Sequence, residues 1–420
     1  MKRRILVVAA SFVLAALILL LLPASPHDPG VSTGPSDTSS QHPTGTKPPH
    51  TSGDSQPSEP GVVRLYSCEA DLVTILSELA TEYTALTGVE VLVLSREDED
   101  CQTALQRYME SEDPPTVLCV HSRSQLNFWK DSLLDLDDTD LAAALCNEGL
   151  GMRMDGKLLA IPTSVEGYGL LANLEALSTV LSRSDIYDFN SLSMWTQILK
   201  SNSITPFPPA APTLQDAWHL LIGEDLDSTR AFLDLYLANS SQSGNAMELF
   251  LQGKTAFYLG GTWEYDTMSS FADKKLDLRN LDIIPNYAEN AMQYVCSTAW
   301  CINAGARQRD IDTTLRFLNW MVTPGEDGTL PIDRLQLLTP FTGATWYGNQ
   351  LEKKLLQYMQ VEDAVLQWKD ANTGDKRLLV ALTAYIEENS NENWEALCQT
   401  VNMVKAENGY IEKYITIKGD

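Results

Sequence analysis

Between residues 62 and 120, short β-rich runs alternate with one-sided helices, and this alternation restricts the fold more than any other feature of the sequence. Residues 62–67 read as a first strand. Leu72, Ile75, Leu76, Leu79, Ala80 and Tyr83 then recur at the i, i+3, i+4 spacing of an amphipathic helix, with Gly88 as its stop after Thr87. Residues 89–94 form a second strand, 102–109 a second helix and, after Pro114-Pro115, 116–120 a third strand. That rhythm predicts a parallel sheet with right-handed crossovers. Ligands of such sheets sit beyond the carboxyl ends of the strands, here near Cys68, Glu69, His121 and Ser122.

A second block opens at Gly156-Lys157-Leu158-Leu159-Ala160-Ile161-Pro162. Helices are expected near 192–199, 214–221 and 228–237, and strands at 256–259, 281–284 and 299–303. A helix carrying Leu315, Phe317, Leu318 and Met321 follows, and the chain from about 350 onward reads as mainly helical. With 420 residues the chain exceeds one small core, so two lobes are expected.

The N-terminus sets the compartment. Lys2, Arg3 and Arg4 precede an uncharged apolar run from Ile5 to Leu22, closed by Pro23, which is the pattern of an export signal. The run is long enough to span a bilayer, and Leu22-Pro23-Ala24-Ser25-Pro26 makes a poor cleavage site. An uncleaved signal anchor and a cleaved signal peptide both fit residues 1–25. No cysteine stands there for lipid attachment. Either way the bulk of the chain lies outside the cytoplasmic membrane. Residues 26–60 are Pro, Ser, Thr, Gly, Asp and His in the main, a composition that cannot bury enough apolar surface to order itself. As a loose tether they would reach about 30 Å. His27, His42 and His50 within them are irregularly spaced polar filler.

Charge and motifs exclude several functions. The chain has 30 basic against 56 acidic side chains, net −26, which repels nucleic-acid backbones. The globular part holds only His121 and His219, with no Gly-x-Ser-x-Gly elbow and no His-Glu-x-x-His. Gly253-Lys254-Thr255 imitates the end of a phosphate-binding loop, but Glu248 stands where its first glycine belongs. No pattern asks for a cofactor, a metal or a catalytic group. Seven cysteines, none in a C-x-x-C pair, argue against structural zinc. Cys68 and Cys119, at the ends of the first and third strands, are the expected bridge if one forms.

Three stretches in order resemble the family 1 extracellular solute-binding proteins of bacterial ABC importers. The first is Leu65-Tyr66-Ser67 through Tyr83 to Thr87-Gly88-Val89-Glu90-Val91. The second is Gly156-Lys157-Leu158-Leu159-Ala160-Ile161-Pro162 through Val165-Glu166-Gly167-Tyr168-Gly169-Leu170 to Asn173. The third is Phe250-Leu251-Gln252-Gly253-Lys254-Thr255-Ala256-Phe257 with Gly261-Thr262-Trp263, followed by Ile284-Pro285, Trp300-Cys301-Ile302-Asn303 and Thr323-Pro324-Gly325-Glu326. The similarity runs over about 61–330 and more faintly to 405.

The resemblance implies an α/β, two-lobed fold of the type II periplasmic-binding-protein kind, with an interlobe hinge and a ligand cleft. Lobe 1 would take about 61–165 plus 286–330, and lobe 2 about 166–285 plus 331–420. Gly167 and Gly169 would supply hinge freedom. Trp263 would stack on a pyranose face and Glu166 would accept from a sugar hydroxyl. Tyr168, Tyr265 and Trp300 are further candidates, whereas Trp195, Trp218, Trp320 and Trp368 read as core. Glu69, with Cys68, Ala70 and Asp71, replaces the amide and charged residues that maltodextrin-binding relatives place after the first strand, so the particular sugar does not follow. The expected function is capture of a sugar or oligosaccharide by a monomer that delivers it to an ABC permease, and not catalysis. A polyamine, held by Glu69, Glu166 and Glu264 beside Trp263, is the main alternative. A surface glycosidase and a sensory subunit are the others.

Overall fold

The computed structural model describes residues 60–95, 100–180, 185–223, 225–241, 243–287, 291–360, 364–368 and 375–410. The expected export segment and, but for Pro60, the linker lie outside the described residues. Among the described residues, no helix is long and apolar enough to cross a membrane.

The first lobe begins with β1 (Val63–Tyr66), α1 (Ala70–Thr87), β2 (Val91–Leu94), α2 (Cys101–Met109), β3 (Val117–Val120) and α3 (Arg123–Trp129). α1 buries Leu76, Leu79, Ala80 and Tyr83, and it stops at Gly88, whose φ of 74° suits glycine and whose N–H donates to the Thr84 carbonyl. β4 (Met152–Met154) and β5 (Lys157–Pro162) form a hairpin about Asp155 and Gly156, both at positive φ.

The second lobe holds β6 (Glu166–Asn173), α4 (Phe189–Ser201), α5 (Leu214–Leu221), α6 (Leu226–Ala238), β7 (Phe257–Gly261), β8 (Leu281–Ile284) and β9 (Met292–Cys296). The chain returns to the first lobe for β10 (Ala299–Ile302) and α7 (Gln308–Met321). It ends in the second lobe with α8 (Gln350–Met359), β11 (Ala364–Trp368), α9 (Lys376–Glu387) and α10 (Asn391–Glu407).

Strand order in the first sheet is β2-β1-β3-β10-β5-β4. β1 is parallel to β2 and β3, as the crossovers require, but β10 is antiparallel to both β3 and β5. The all-parallel expectation fails for a topological reason. β10 enters from the other lobe at the end where β1 and β3 leave. The second sheet runs β11-β9-β6-β7, with β8 also on β6. Tyr83 packs edge-on to Phe317 at 5.1 Å, which ties α1 to α7 in the first lobe's core.

The segments exchanged between lobes differ from the expected ones. Met292–Cys296, placed with lobe 1 by the sequence reading, pairs with β6 and β11 in the second sheet. Leu330, Ile332, Leu335, Phe341 and Ala344, placed largely with lobe 2, pack in the first lobe's core. Three crossings lie side by side. Thr163 N and Oγ1 both donate to the Thr298 carbonyl at 3.0 Å, and Val165 N donates to the Leu338 carbonyl at 2.8 Å.

Gly167 and Gly169 are not hinge glycines. Both lie inside β6, where a Cβ would come within 2.9 Å of Leu355 and 2.4 Å of the Ile284 carbonyl oxygen respectively, so close packing explains them. Away from the crossings, Arg123 of α3 donates from Nε to the Gly409 carbonyl at 3.0 Å and lies over the Tyr410 ring at 4.8 Å, joining the lobes a second time.

Candidate functional site

Both sheets end at the crossings, and the candidate side chains gather there. On the first lobe's side, β1 delivers Glu69 and β3 delivers His121. Thr298, in the crossing between β9 and β10, donates from its hydroxyl to Glu69 and lies 3.1 Å from His121 Nδ1. Burial holds His121 below the ordinary imidazole value, with the Glu69 carboxylate opposing the shift from 3.9 Å. Its Nε2 is buried without a hydrogen-bond partner.

Cys68 is disulfide-bonded to Cys101 at the start of α2, with Cα atoms 5.7 Å apart. The expected Cys68–Cys119 bridge is therefore corrected. Cys119 points into the core between the sheet and α7, whereas Cys68 and Cys101 pack on the opposite face. Alternation along the strands separates them. Cys119, Cys146, Cys296, Cys301 and Cys398 are free thiols.

On the second lobe's side, the β6–β7 ladder pairs Tyr168 with Gly261, and Gly167 N donates to Thr262 Oγ1 at 3.1 Å. This register brings Glu166, at the start of β6, to the short turn that carries Trp263 past the end of β7. The Trp263 ring stacks on Tyr168 at 6.0 Å with an 8° interplanar angle and meets His219 of α5 at 5.5 Å. Beneath it the Tyr168 hydroxyl donates to Asp216 Oδ1 at 3.1 Å, and Asp216 Oδ2 accepts from Thr213 N and Oγ1 at 2.8 Å each. His219 Nδ1 lies 3.2 Å from Gln367 Oε1 on β11, whose amide nitrogen is buried without a partner. The two walls meet at Cys296, whose buried thiol is pushed up first by desolvation and then, after an opposing backbone hydrogen bond, by the Glu69 and Glu166 carboxylates.

Gly261 is required by the indole. A Cβ there would lie 2.3 Å from the Trp263 ring, and nothing rigid could yield. Gly261→Ala is expected to lift Trp263 off Tyr168. We expect solute affinity to fall by roughly tenfold or more while the melting temperature moves by only a few degrees. Unchanged affinity by calorimetry would remove the indole from the site.

Glu264 follows Trp263, accepts from the Tyr258 hydroxyl, and has its second oxygen buried without a partner. Desolvation chiefly, and the Asp216 charge in addition, push its carboxyl up to about 7 from 4.5. The folded state therefore binds the proton more tightly than the unfolded chain. Stability falls as pH rises from about 4.5 to about 7 and stays lower above it. Glu264→Gln, which cannot ionise, is expected to exceed wild type by roughly 2–3 kcal/mol at pH 8 and to match it near pH 4. Urea unfolding at the two pH values measures this, and an equal offset at both would refute it.

Glu69, Glu166 and Trp263 are thus gathered at the crossings, half-buried. Three expected contacts are not in place. Trp300, 1% exposed, pairs with Cys119 and Ile161 inside the first sheet and packs in that lobe's core. Tyr168, 0% exposed, lies behind Trp263 as its support. Tyr265 packs on the opposite face of the second sheet, in the cluster with Met268 and Tyr294. Sequence reasoning missed Thr298, Asp216, His219 and Gln367 as a group. Only Thr213-x-x-Asp216 carried a local signal, the spacing of a reciprocal helix cap, and the structure forms that cap.

The fold and this junction define a two-lobed receptor for small solutes. The profile of the family described as bacterial extracellular solute-binding protein matches residues 78–342, more than half of the chain, and the chain belongs to that family. The family is one of binding proteins rather than enzymes. Among solved structures, the fold is similar to that of the bacterial solute receptor AcbH, described as exclusive for β-D-galactopyranose, at TM-score 0.62 and 12% identity over 84% of this chain and 100% of that one. The cyclic α-maltosyl-1,6-maltose binding protein of Arthrobacter globiformis matches at 0.55 and 17%, over 82% and 98%. A family 1 extracellular solute-binding protein of Bifidobacterium longum subsp. infantis matches at 0.58 and 13%, over 82% and 100%. Comparison with curated proteins by sequence returns no match.

Proposed function

We propose that the protein captures a saccharide between its lobes and delivers it to an ABC permease, tethered outside the cytoplasmic membrane by residues 1–25 and the linker that follows. The observation that carries this reading is the Trp263 indole, stacked on Tyr168 over the β6–β7 ladder, at a junction that also holds the half-buried carboxyls Glu166 and Glu69 around Cys296. A pyranose offers C–H faces to an aromatic ring and hydroxyl donors to carboxylates, which fits those two elements. The saccharides bound by the receptor of similar fold and by the Arthrobacter protein agree with it. Ligand touching both lobes would favour the closed arrangement. A thermal-shift screen of mono- and oligosaccharides, followed by calorimetry on the hits, tests the reading. Saturable binding that weakens strongly in Trp263→Ala is expected, and no response to any saccharide would overturn it.

One observation favours a second reading, a cationic solute such as a polyamine. Carboxylates of this region act on one another: burial chiefly, and then the Glu166 and Asp266 charges, push the Glu352 carboxyl up. Affinity for spermidine that falls steeply with salt, in the absence of saccharide binding, would select it.

A further inference from the structure

A separate pocket opens in the second lobe beside β7, the outer strand of its sheet. Leu220 of α5, Leu233 of α6, and Leu382 and Ile386 of α9 form the apolar walls of a shallow groove open to solvent. One end is polar, where Asp216 and Tyr258 line the wall. Asp216 is 6% exposed, and its hydrogen bonds come only from neutral groups, the Tyr168 and Thr213 hydroxyls and the Thr213 N–H. The Tyr258 hydroxyl donates to Glu264, the carboxyl with an unpartnered buried oxygen. Among the described residues neither Asp216 nor Glu264 forms a salt bridge. Two nearby carboxyls taken out of water without a cation are costly, and both are pushed up by desolvation.

We propose that this pocket is a second ligand site, distinct from the interlobe junction, and that it takes a primary alkylammonium whose chain lies along the leucine walls and whose charged head meets Asp216. An ammonium has three donors and no acceptor. Asp216 Oδ1, which accepts only from Tyr168, retains a lone pair for one of them, and the Tyr258 oxygen can accept another. A neutral alcohol would gain the apolar contact and leave the carboxyls without a counter-charge. A carboxylate ligand would add a third negative charge. The head group would also sit on the support of Trp263, since Tyr168 joins Asp216 to the indole, so occupancy would be felt at the junction.

The test is calorimetric titration of the full chain at pH 8 with hexylammonium chloride, 1-hexanol and sodium hexanoate. Hexylammonium is expected to bind at least tenfold more tightly than hexanol, and hexanoate not at all. Asp216→Asn should weaken hexylammonium at least tenfold. Because Asp216 also caps α5, Ala210→Phe serves as a second variant that fills the pocket from its loop and leaves the cap intact, and it should abolish binding. Glu166→Gln, at the junction, should leave the affinity within twofold. Hexanol binding as well as hexylammonium, retention of affinity in Ala210→Phe, loss of affinity in Glu166→Gln, or no binding to wild type would each overturn the proposal.

Discussion

Trp263→Ala is expected to weaken solute binding by roughly 30- to 150-fold, about 2–3 kcal/mol, the range of a central aromatic anchor. The indole keeps exposed surface at the junction, whereas Trp300 and Tyr168 are buried. Its removal deletes the flat contact and also uncovers the chain from Tyr168 to Asp216. Phenylalanine at 263 should recover part of the affinity, because it restores a face over Tyr168 with less area. Calorimetry with the best solute measures both variants. An alanine variant within threefold of wild type would mean that the solute binds elsewhere.

Removing the disulfide is the second large effect. Cys68 and Cys101 are 33 residues apart in sequence, and closing a loop of that length restricts the unfolded chain by about 3–4 kcal/mol in the chain-entropy account. Cys68→Ser with Cys101→Ser is expected to lower stability by that order, read as the urea midpoint at constant slope. The loss should not stay local. Cys68 immediately precedes Glu69, and Glu69 is held by Thr298 at a crossing, so solute affinity should fall with it. Wild-type protein treated with reductant should behave alike. A double variant as stable as wild type would show that packing of α2 alone fixes this corner.

The parts of the fold that were legible in the sequence are those with a local signature. The run of strands and helices up to Val120 carries strong periodicity, and 214–221 is a helix with the expected limits because apolar spacing and the cap at Thr213 agree. Trp263 and Glu166 were legible through their place in ordered motifs, and the ladder that brings them together follows from Gly261 opposite Tyr168.

What was not legible depends on distant partners. Nothing local marks β6 as a strand, and Gly167 and Gly169 read instead as hinge glycines, yet each glycine is there to admit Leu355 or Ile284. β9 and β11 are strands because they pair in parallel with each other, 72 residues apart by the Met292–Ala364 register, and nothing local announces that. Trp300 was misplaced because a tryptophan on a short strand reads the same facing a cleft or facing a helix. Pairing with Cys119 and Ile161 decides for the helix. His219 and Gln367 lie on separate elements, and only the assembled sheet brings them into contact.

The position of β10 has a consequence for how the polypeptide is made. It fills the gap between β3 and β5, so a nascent chain that stops before residue 299 has its first sheet split down the middle. Neither half can complete itself early. The first must wait for the segment that carries Phe341, and the second for helices that end near residue 407. Such an order of assembly keeps the emerging polypeptide open while it is synthesised, the condition a chain needs if it is to be threaded across a membrane before it folds.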